Sequence, residues 1–391
     1  MHKLQNGSQV SVRPQRKPLV GLGGYFSESN DQGAPSYPGQ DWFNDCTDEF
    51  LNALKAAGIE YEHGRLDHLA RAFVFIRSLV GFKLKENPEQ PIFIFDGSSL
   101  KTQQKFTLFI NNELMTFNQD ENVQVPALSA AYDYKIYALA DGSITAQAWA
   151  ESEPSDSILV GGFHAAYSNG AIVERSIWDF GWRPKCNPRA MVLSLSNRVW
   201  ADIYLMDTAY GLNGYSRPNA QIADGASLPI RPLIYGGNGV STYASFTQYV
   251  AKELAASAAK RLPSMADFED IAYGTVTGQA AGADPVTTKY QAGLRSAIGC
   301  EQVTGVMWQW GSEAWDRGNG STGYTWYAAD TDNKGQVYSA GGQAVGVVLF
   351  GANWDASGSA GARASNWASE PWGSDGNVGA RGLCDHTFWG F

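Results

Sequence analysis

The sequence predicts an α+β protein with a helical N-terminal region, a small β-sandwich and a larger C-terminal domain. Helical periodicity comes first, short strands with turn signals follow from residue 90, and eleven of the 13 Trp lie from Trp178 onward. A hydrophobic content of 44% supports packed cores and excludes global disorder. We expect three regions, 1–89, 90–176 and 177–391.

The N-terminal region combines an irregular start with two helical stretches. The first forty residues are rich in Gly, Pro, Ser and Asn, which predicts irregular structure or an assembly arm. Asp45 or Thr47 is expected to cap a helix that Gly58 ends, and Leu66–Val80 shows a second helical pattern. Two packed structural helices are the simpler interpretation, and an oligomerisation element is the alternative.

Short strands are predicted next, because apolar runs are separated by turn signals such as Asp96-Gly97 and Asp141-Gly142. A small β-sandwich that ends near Val160–His164 fits this spacing. The predicted strands are Ile92–Phe95, Phe106–Phe109, Leu114–Phe117 and Tyr132–Leu139.

Two helices are predicted among the strands and Gly-rich loops of the C-terminal region. One covers roughly Thr242–Ala259, with apolar residues on one face. The other begins after Ser264, which forms a capping-box-like start with Asp267 three residues later.

Composition excludes several classes of partner. The net charge is −10 and no basic stripe is present, so nucleic-acid binding is not expected. No apolar run is long enough for a membrane span, and Met1–Val20 lacks the apolar core of a secretion signal, so membrane insertion is not expected. The four cysteines are scattered, which argues against a zinc site or a dense disulfide framework but leaves one disulfide open: Cys46, Cys186, Cys300 and Cys384.

No cofactor or metal site is predicted. Gly21–Gly24 lacks the strand, helix and spacing of a nucleotide loop. Asp330–Gly335 begins like a calcium loop, but Lys334 stands where an oxygen ligand belongs. A surface turn is the preferred interpretation of that segment.

No catalytic residues are predicted either. Cys384 and His386 would share one face of a strand, as a nucleophile and its base do. A buried Cys beside a hydrogen-bonded His is the preferred interpretation. Binding is therefore expected rather than catalysis.

The C-terminal segment Phe350–Phe391 would pass for an ordinary Gly- and Ser-rich surface loop by composition. Ordered motifs around it change that interpretation, because together they resemble the C-type-lectin-like domains of variable proteins from diversity-generating retroelements, a family that includes phage tropism determinants. Those motifs are Lys260–Ser264 with Phe268-Glu269, Val306–Glu313, Leu349–Trp354 and Gly379–His386. The likeness extends to Pro126–Leu128, Val160–His164, Ile177–Asp179, Pro188–Met191 and Trp200–Leu205, but residues 1–89 depart from the family.

The resemblance implies a C-type-lectin-like (formylglycine-generating-enzyme-like) fold for residues 177–391 and a variable region at about 350–391. In this family, adenines of a template are copied with errors and the product replaces the end of the gene. Codons of the AAC or AAT type then yield many residue types, but not Trp, Glu, Gln, Lys or Met. Twelve positions match variable ones, and all hold accessible types: Asn353, Asp355, Ala356, Ser357, Ser359, Asn366, Ala368, Ser369, Gly373, Asp375, Asn377 and Val378.

Five neighbours of these positions are expected to form a fixed scaffold. Loss of a large buried side chain costs about 3–5 kcal/mol, whereas solvent-facing positions usually change stability by about 0.5 kcal/mol or less. The scaffold residues are Trp354, Arg363, Trp367, Trp372 and Arg381.

The resemblance further implies a hypervariable binding protein whose partner is a host or other cell-surface protein. It places the chain at the tail-fibre tip of a virion or at an extracellular or cell surface, suggests a homotrimer, and implies no cofactor. Two alternatives stay open. One is a formylglycine-generating-enzyme-like oxidase, although Cys300 and Cys384 do not fit its cysteine pattern, and the other is a purely structural tail-fibre or surface protein.

Overall fold

The structure is a computed structural model that describes residues 7–18, 25, 27, 29, 35–80, 82–111, 113–316, 324–328, 336–339 and 345–387. The chain divides into two compact units. One comprises Met1–Lys83 with Asn111–Leu114, and the other Leu84–Ile110 with Met115–Phe391. The segments Gly21–Gly24 and Asp330–Gly335 lie outside the described residues, and the division at residue 176 stays a prediction.

The first unit contains two helices, α1 (Gln40–Ala56) and α2 (His68–Val80). The start of α1 was predicted too late, because Gly39 is the N-cap and Thr47 lies inside the helix, where its hydroxyl donates to the carbonyl of Phe43 at 2.8 Å. Its end was predicted correctly: Gly58 follows the helix with φ +66°, a conformation that favours glycine.

The second unit begins with a strand-rich part whose sheets surround one core. The sheet orders are β1-β4-β5, β2-β3 and β7-β6-β8-β9. Phe106 stacks on Phe117 in this core, with ring centroids 4.8 Å apart. All four predicted strands are present. The strands are β1 (Lys83–Lys85), β2 (Phe93–Phe95), β3 (Leu100–Thr102), β4 (Phe106–Ile110), β5 (Glu113–Phe117), β6 (Asp133–Leu139), β7 (Ile144–Ala148), β8 (Ser157–His164) and β9 (Trp178–Asp179).

The remainder of this unit is built on two four-stranded sheets, ordered β10-β19-β12-β11 and β17-β16-β13-β18, and a separate hairpin, β14-β15. The strands are β10 (Arg183–Pro184), β11 (Met191–Leu193), β12 (Val199–Asp202), β13 (Trp308–Asp316), β14 (Thr325–Ala328), β15 (Gln336–Ser339), β16 (Val345–Phe350), β17 (Ser365–Ser369), β18 (Val378–Gly379) and β19 (Leu383–Thr387).

Three helices belong to the same part: α3 (Tyr210–Asn213), α4 (Gln248–Ser257) and α5 (Met265–Ala272). The capping box predicted for α5 is present, since Ser264 and Asp267 satisfy each other's main-chain N–H groups. The start of α4 was predicted too early. Thr247 caps this helix by accepting from the N–H of Val250, so Tyr243 and Phe246 reach the core from the segment before it.

The architecture confirms the α+β class. Short 3₁₀ turns complete the described elements at Glu174–Ser176, Leu233–Tyr235 and Ser357–Ser359. Among the described residues, no helix is both long and apolar enough to cross a membrane.

Candidate functional site

The candidate site is the segment 350–387, which leaves the core at one end and returns to it at the other. Phe350, the last residue of β16, is buried and stacks on Phe268 with ring centroids 4.9 Å apart. Residues 378–384 are buried again. Between these ends the chain forms a loop, a 3₁₀ turn, strand β17 and a second loop, with most residues exposed or partly exposed.

Arg381 anchors the returning end. It is 0% exposed, and its Nη1 donates to the carbonyl oxygens of Asp202 and Ile203 at 2.6 and 2.7 Å. Nη2 donates to the carbonyl of Glu301 at 2.6 Å, and Nε donates to Oε1 of Gln309 at 3.2 Å. Burial lowers the pKa of Arg381. The planar guanidinium thereby ties this segment to β12, β13 and the chain at residue 301.

A second buried cluster holds Gly382. The carboxylate of Asp202 accepts from Nζ of Lys260 at 2.6 Å, from the hydroxyl of Tyr210 at 2.7 Å and from the N–H of Gly382 at 3.2 Å. A Cβ on Gly382 would lie 2.5 Å from Oδ2 of Asp202 and 2.6 Å from the Tyr210 oxygen. Position 382 therefore accepts only glycine.

The proposed scaffold is only partly buried. Trp354 packs against a cluster that includes Val306, and its carbonyl accepts from the N–H of Gly282 at 3.0 Å; Trp372 is also partly buried. The Arg363 side chain, however, is 83% exposed, and Trp367 is 42% exposed. The expectation of a buried tryptophan is wrong at Trp367, because β17 lies at the edge of its sheet. Arg363 lies in the loop before this strand, and its role in the scaffold stays a prediction.

Trp315 and Trp367 form an aromatic platform across three strands. Trp315 on β13 lies over Gly346 on β16, where an added Cβ would be 2.6 Å from its Cε2. Its ring centroid is 5.1 Å from that of Trp367 on β17, and Nε1 of Trp367 donates to Oγ of Ser365 at 2.9 Å. The absence of a side chain at Gly346 allows the two rings to meet.

The positions predicted to vary are mostly accessible. Main-chain groups hold several of them: the carbonyl of Asn377 accepts from the N–H of Trp308, and that of Asp375 from the N–H of Gly225, both at 3.0 Å. Every residue type supplies a carbonyl, so these bonds survive a change of side chain. Asp355, Ser359, Ala368 and Asp375 are exposed, and Asn353, Ala356, Asn366, Ser369, Gly373 and Asn377 are partly buried. The side chain of Ser357 lies outside what the structure describes.

Val378 does not fit the predicted display surface. It is 3% exposed and packs in a core cluster with Trp310 and Leu349. Strand β18, which contains it, pairs in parallel with β13, placing Val378 opposite Trp308. The prediction that this side chain faces a ligand is wrong, because pairing with the central strand directs it into the core.

Cys384 packs in a buried cluster with Trp200, and His386 is hydrogen-bonded in the core. Nδ1 of His386 accepts from the indole Nε1 of Trp200 at 2.8 Å, and burial lowers the pKa of His386 to about 4. Cys300 packs in a different cluster from Cys384, and burial raises its pKa to about 11. Across the described ranges, no group of three or more His, Cys, Asp or Glu side chains is arranged to hold a metal ion.

The aromatic hairpin β14–β15 was not recognised in the sequence. Tyr324, Trp326 and Tyr338 are all exposed, and the ring of Tyr338 lies 5.6 Å from Tyr324 and 5.0 Å from Trp326. Alternating aromatic residues at Tyr324 and Trp326 were a usable strand signal. The prediction instead concerned the intervening turn, which lies outside the described residues.

Comparison with known proteins gives a consistent set of relatives. The chain is 33% identical over 302 residues to the tail fibre receptor-binding protein of Bordetella phage BPP-1, a match that covers 71% of this chain and 77% of that protein. It is 35% identical over 91 residues to tail fibre protein S of Escherichia phage Mu, covering 22% of this chain and only 18% of that protein. No family model matches the chain.

Solved structures agree with the sequence comparison. The I1 and M1 variants of the major tropism determinant are each 31% identical to the chain, with a TM-score of 0.73. Each match covers 80% of this chain and 88% of the other chain.

Two arginines of the segment provide a matched test of the anchor. Arg381→Met should lower the free energy of unfolding by about 3 kcal/mol or more, because each buried acceptor left without a donor costs about 1–3 kcal/mol. Arg363→Met should change it by about 0.5 kcal/mol or less, since its side chain is exposed. Urea unfolding measures both, and similar losses would contradict the assignment of Arg381 as the anchor.

Glu301 gives the anchor a pH dependence. Burial raises its pKa from 4.5 to about 7, although Nε of Arg295 lies 3.1 Å from its carboxylate and opposes the shift. Because the pKa is raised in the folded state, the protonated Glu301 carboxyl favours folding over the charged form. This contribution to the free energy of unfolding is fully present below about pH 4.5 and is lost as the pH rises through about 7. Between pH 5 and pH 7.5, the Tm of the native protein should therefore fall by more than the Tm of the Glu301→Gln variant. The exposed Glu113→Gln serves as control, and parallel curves for native protein and Glu301→Gln would refute the assignment.

Proposed function

The chain belongs to the family of phage tail-fibre receptor-binding proteins that includes the tropism determinants, and on that premise we propose that it binds a receptor at the tail-fibre tip of a virion. One observation carries the proposal. The segment 353–377 is held at both ends by buried residues and along its length by main-chain hydrogen bonds, while most of its side chains reach solvent. Such a segment can change its side chains without losing its path.

The receptor is proposed to be a protein on the host surface. The accessible positions are spread over one strand and two loops, as shown by Asp355, Ala368 and Asp375. An extended surface suits a macromolecular partner, whereas small ligands are usually enclosed in a concave pocket.

Diversification by a retroelement is proposed as the source of change in this surface. Without Val378, eleven positions predicted to vary remain. All eleven carry residue types that adenine mutagenesis of AAC or AAT codons yields, whereas Trp is not such a type, as at Trp354, Trp367 and Trp372. Val378 is proposed to stay apolar despite its matching position, because its side chain is in the core. A C-type-lectin-like layout for residues 177–391 and a homotrimer are proposed on the family resemblance.

Trp367 is proposed as a fixed contact residue rather than as scaffold. Its side chain is 42% exposed on the edge strand β17, which also carries the candidate positions Asn366 and Ala368, so a receptor that covers this edge would meet it. Trp and Arg are enriched among residues that dominate binding energy, and the present variable residues are small. Trp367 would supply constant affinity, exposed Arg363 a second contact, and the variable positions partner choice.

Two tryptophans of the segment separate binding from folding. Trp367→Ala should weaken binding to host cells about 10-fold or more, as truncation of an aromatic hot spot does, with a small change in Tm. Trp354→Ala should lower Tm strongly, because its ring packs against a buried cluster. Binding of the labelled full chain to host cells is measured beside Tm, and unchanged binding by Trp367→Ala would remove that residue from the site.

Ala368→Asp and Val378→Asp place the same side chain at two positions predicted to vary. Ala368→Asp should alter receptor binding and leave the free energy of unfolding within about 0.5 kcal/mol. Val378→Asp should cost about 3 kcal/mol or more, because an unpaired carboxylate enters the core. Equal melting losses would contradict the distinction between display and core positions.

The direct test of function is competition with virions. Purified full-length protein should block adsorption of the phage that carries it to host cells, and the adsorbed fraction should fall as protein is added. Ala368→Asp should compete less well at equal concentration. A folded native protein that neither binds the cells nor competes would overturn the proposed function.

A further inference from the structure

Two cysteines face each other across neighbouring strands. β10 pairs antiparallel with β19, with Pro184 opposite His386. Continuing this register by two residues places Cys186 opposite Cys384. Both side chains are buried, at 6% and 4% exposed, and they belong to one cluster with Trp200.

The pairing geometry suits a covalent bond between them. The N–H of Lys185 donates to the carbonyl of Asp385 at 3.1 Å, so these opposed residues form a hydrogen-bonded pair. Hydrogen-bonded and non-hydrogen-bonded pairs alternate along antiparallel strands, which makes Cys186 and Cys384 a non-hydrogen-bonded pair with Cα atoms about 4.5 Å apart. Disulfides require Cα separations of about 4.4–6.8 Å.

We propose that Cys186 and Cys384 are an oxidation site that forms an intramolecular disulfide when the protein meets a disulfide oxidant such as oxidised glutathione. The Cys384 thiolate attacks one sulfur of the oxidant, forming a mixed disulfide and releasing one reduced glutathione. The Cys186 thiol gives its proton to solvent and attacks the Cys384 sulfur, which releases the second glutathione. One S–S bond forms in the protein, and one in the oxidant is reduced.

The environments of the two thiols support this order of attack. A hydrogen bond from Cys186 lowers the pKa of Cys384 to about 7, so a thiolate is available near neutral pH. The pKa of Cys186 is raised, chiefly by the same hydrogen bond and then by burial. Cys300 is fully buried in another cluster, and Cys46 lies on α1, in the other compact unit.

The role of the bond rests on the proposed function, although the bond itself does not. β19 begins two residues after Arg381, so a disulfide would fix to β10 the strand that continues from the anchored end of the proposed binding segment. Cytosol keeps thiols reduced, whereas media outside the cell permit disulfides. Reduced protein would assemble into virions. Oxidation after release from the cell would then raise the free energy of unfolding of the part of the protein that binds the receptor.

Intact full-length protein provides the test. Reduced protein is incubated with oxidised glutathione, and intact mass and peptide mapping should reveal the loss of two hydrogens in a Cys186–Cys384 cross-link. The Tm should rise by about 5 °C or more, because the bond closes a long loop. Cys46→Ser should still form the cross-link, while Cys186→Ser and Cys384→Ser should not.

Three results would overturn the proposal: four free thiols after prolonged oxidation, a persistent glutathione adduct at Cys384, or a cross-link that involves Cys46 or Cys300. Host-cell binding is measured on the same reduced and oxidised samples. Cross-linked protein that binds no cells would contradict the receptor-binding function alone, and a cell-binding protein without the cross-link would contradict the disulfide alone.

Discussion

The hydrogen bonds of the buried guanidinium of Arg381 are the interaction on which the proposed binding segment, residues 350–387, depends. Its donors reach main-chain carbonyls at Asp202, Ile203 and Glu301, and its fourth partner atom is the side-chain oxygen of Gln309. Gln309 is itself fully buried and donates to the carbonyl of Val303 at 2.6 Å. Strands far apart in sequence thus share one cation, and a shorter or flexible amine could not replace its planar set of donors.

This arrangement separates what must stay constant from what can change. Arg381 and Gly382 are fixed by burial and by the lack of space, and the main chain before them is held through groups that every residue type supplies. The exposed side chains on β17 and its flanking loops add little to stability, and we propose that they serve recognition. Trp367 is exposed to a partner and also packs against Trp315, so we propose that it stays constant and contacts the receptor.

Local sequence signals predicted local structure well. The capping box at Ser264 was correct because both partners lie within four residues, and the strand Phe106–Phe109 was correct because its apolar run is bounded by turns. Whether an individual side chain is buried was harder to predict from the sequence. Val378 looks like a loop residue until parallel pairing with β13 directs it inward, and nothing local reveals this.

The other features that the sequence did not predict depend on contacts between residues that are distant in sequence. The Arg381 side chain can be buried because main-chain carbonyls of residues far away in sequence accept its hydrogen bonds. Trp367 is exposed because β17 lies at the edge of its sheet. The pairing of Cys186 with Cys384 likewise requires knowing that β10 and β19 are neighbours. The family resemblance supplied the candidate positions, whereas the three-dimensional contacts decided which side chains reach solvent.

A substitution scan of residues 350–387, with folding stability measured for every variant, tests the division between display and anchor most directly. Most substitutions at the exposed positions Asp355, Ser359, Ala368 and Asp375 should leave Tm within about 2 °C of the native value. Nearly all substitutions at Arg381 and Gly382 should lower the Tm far more, with a loss of about 3 kcal/mol or more in the free energy of unfolding at Arg381. Broad tolerance of substitution at Arg381, or losses of Tm at the exposed positions as large as those at Arg381 and Gly382, would contradict this division.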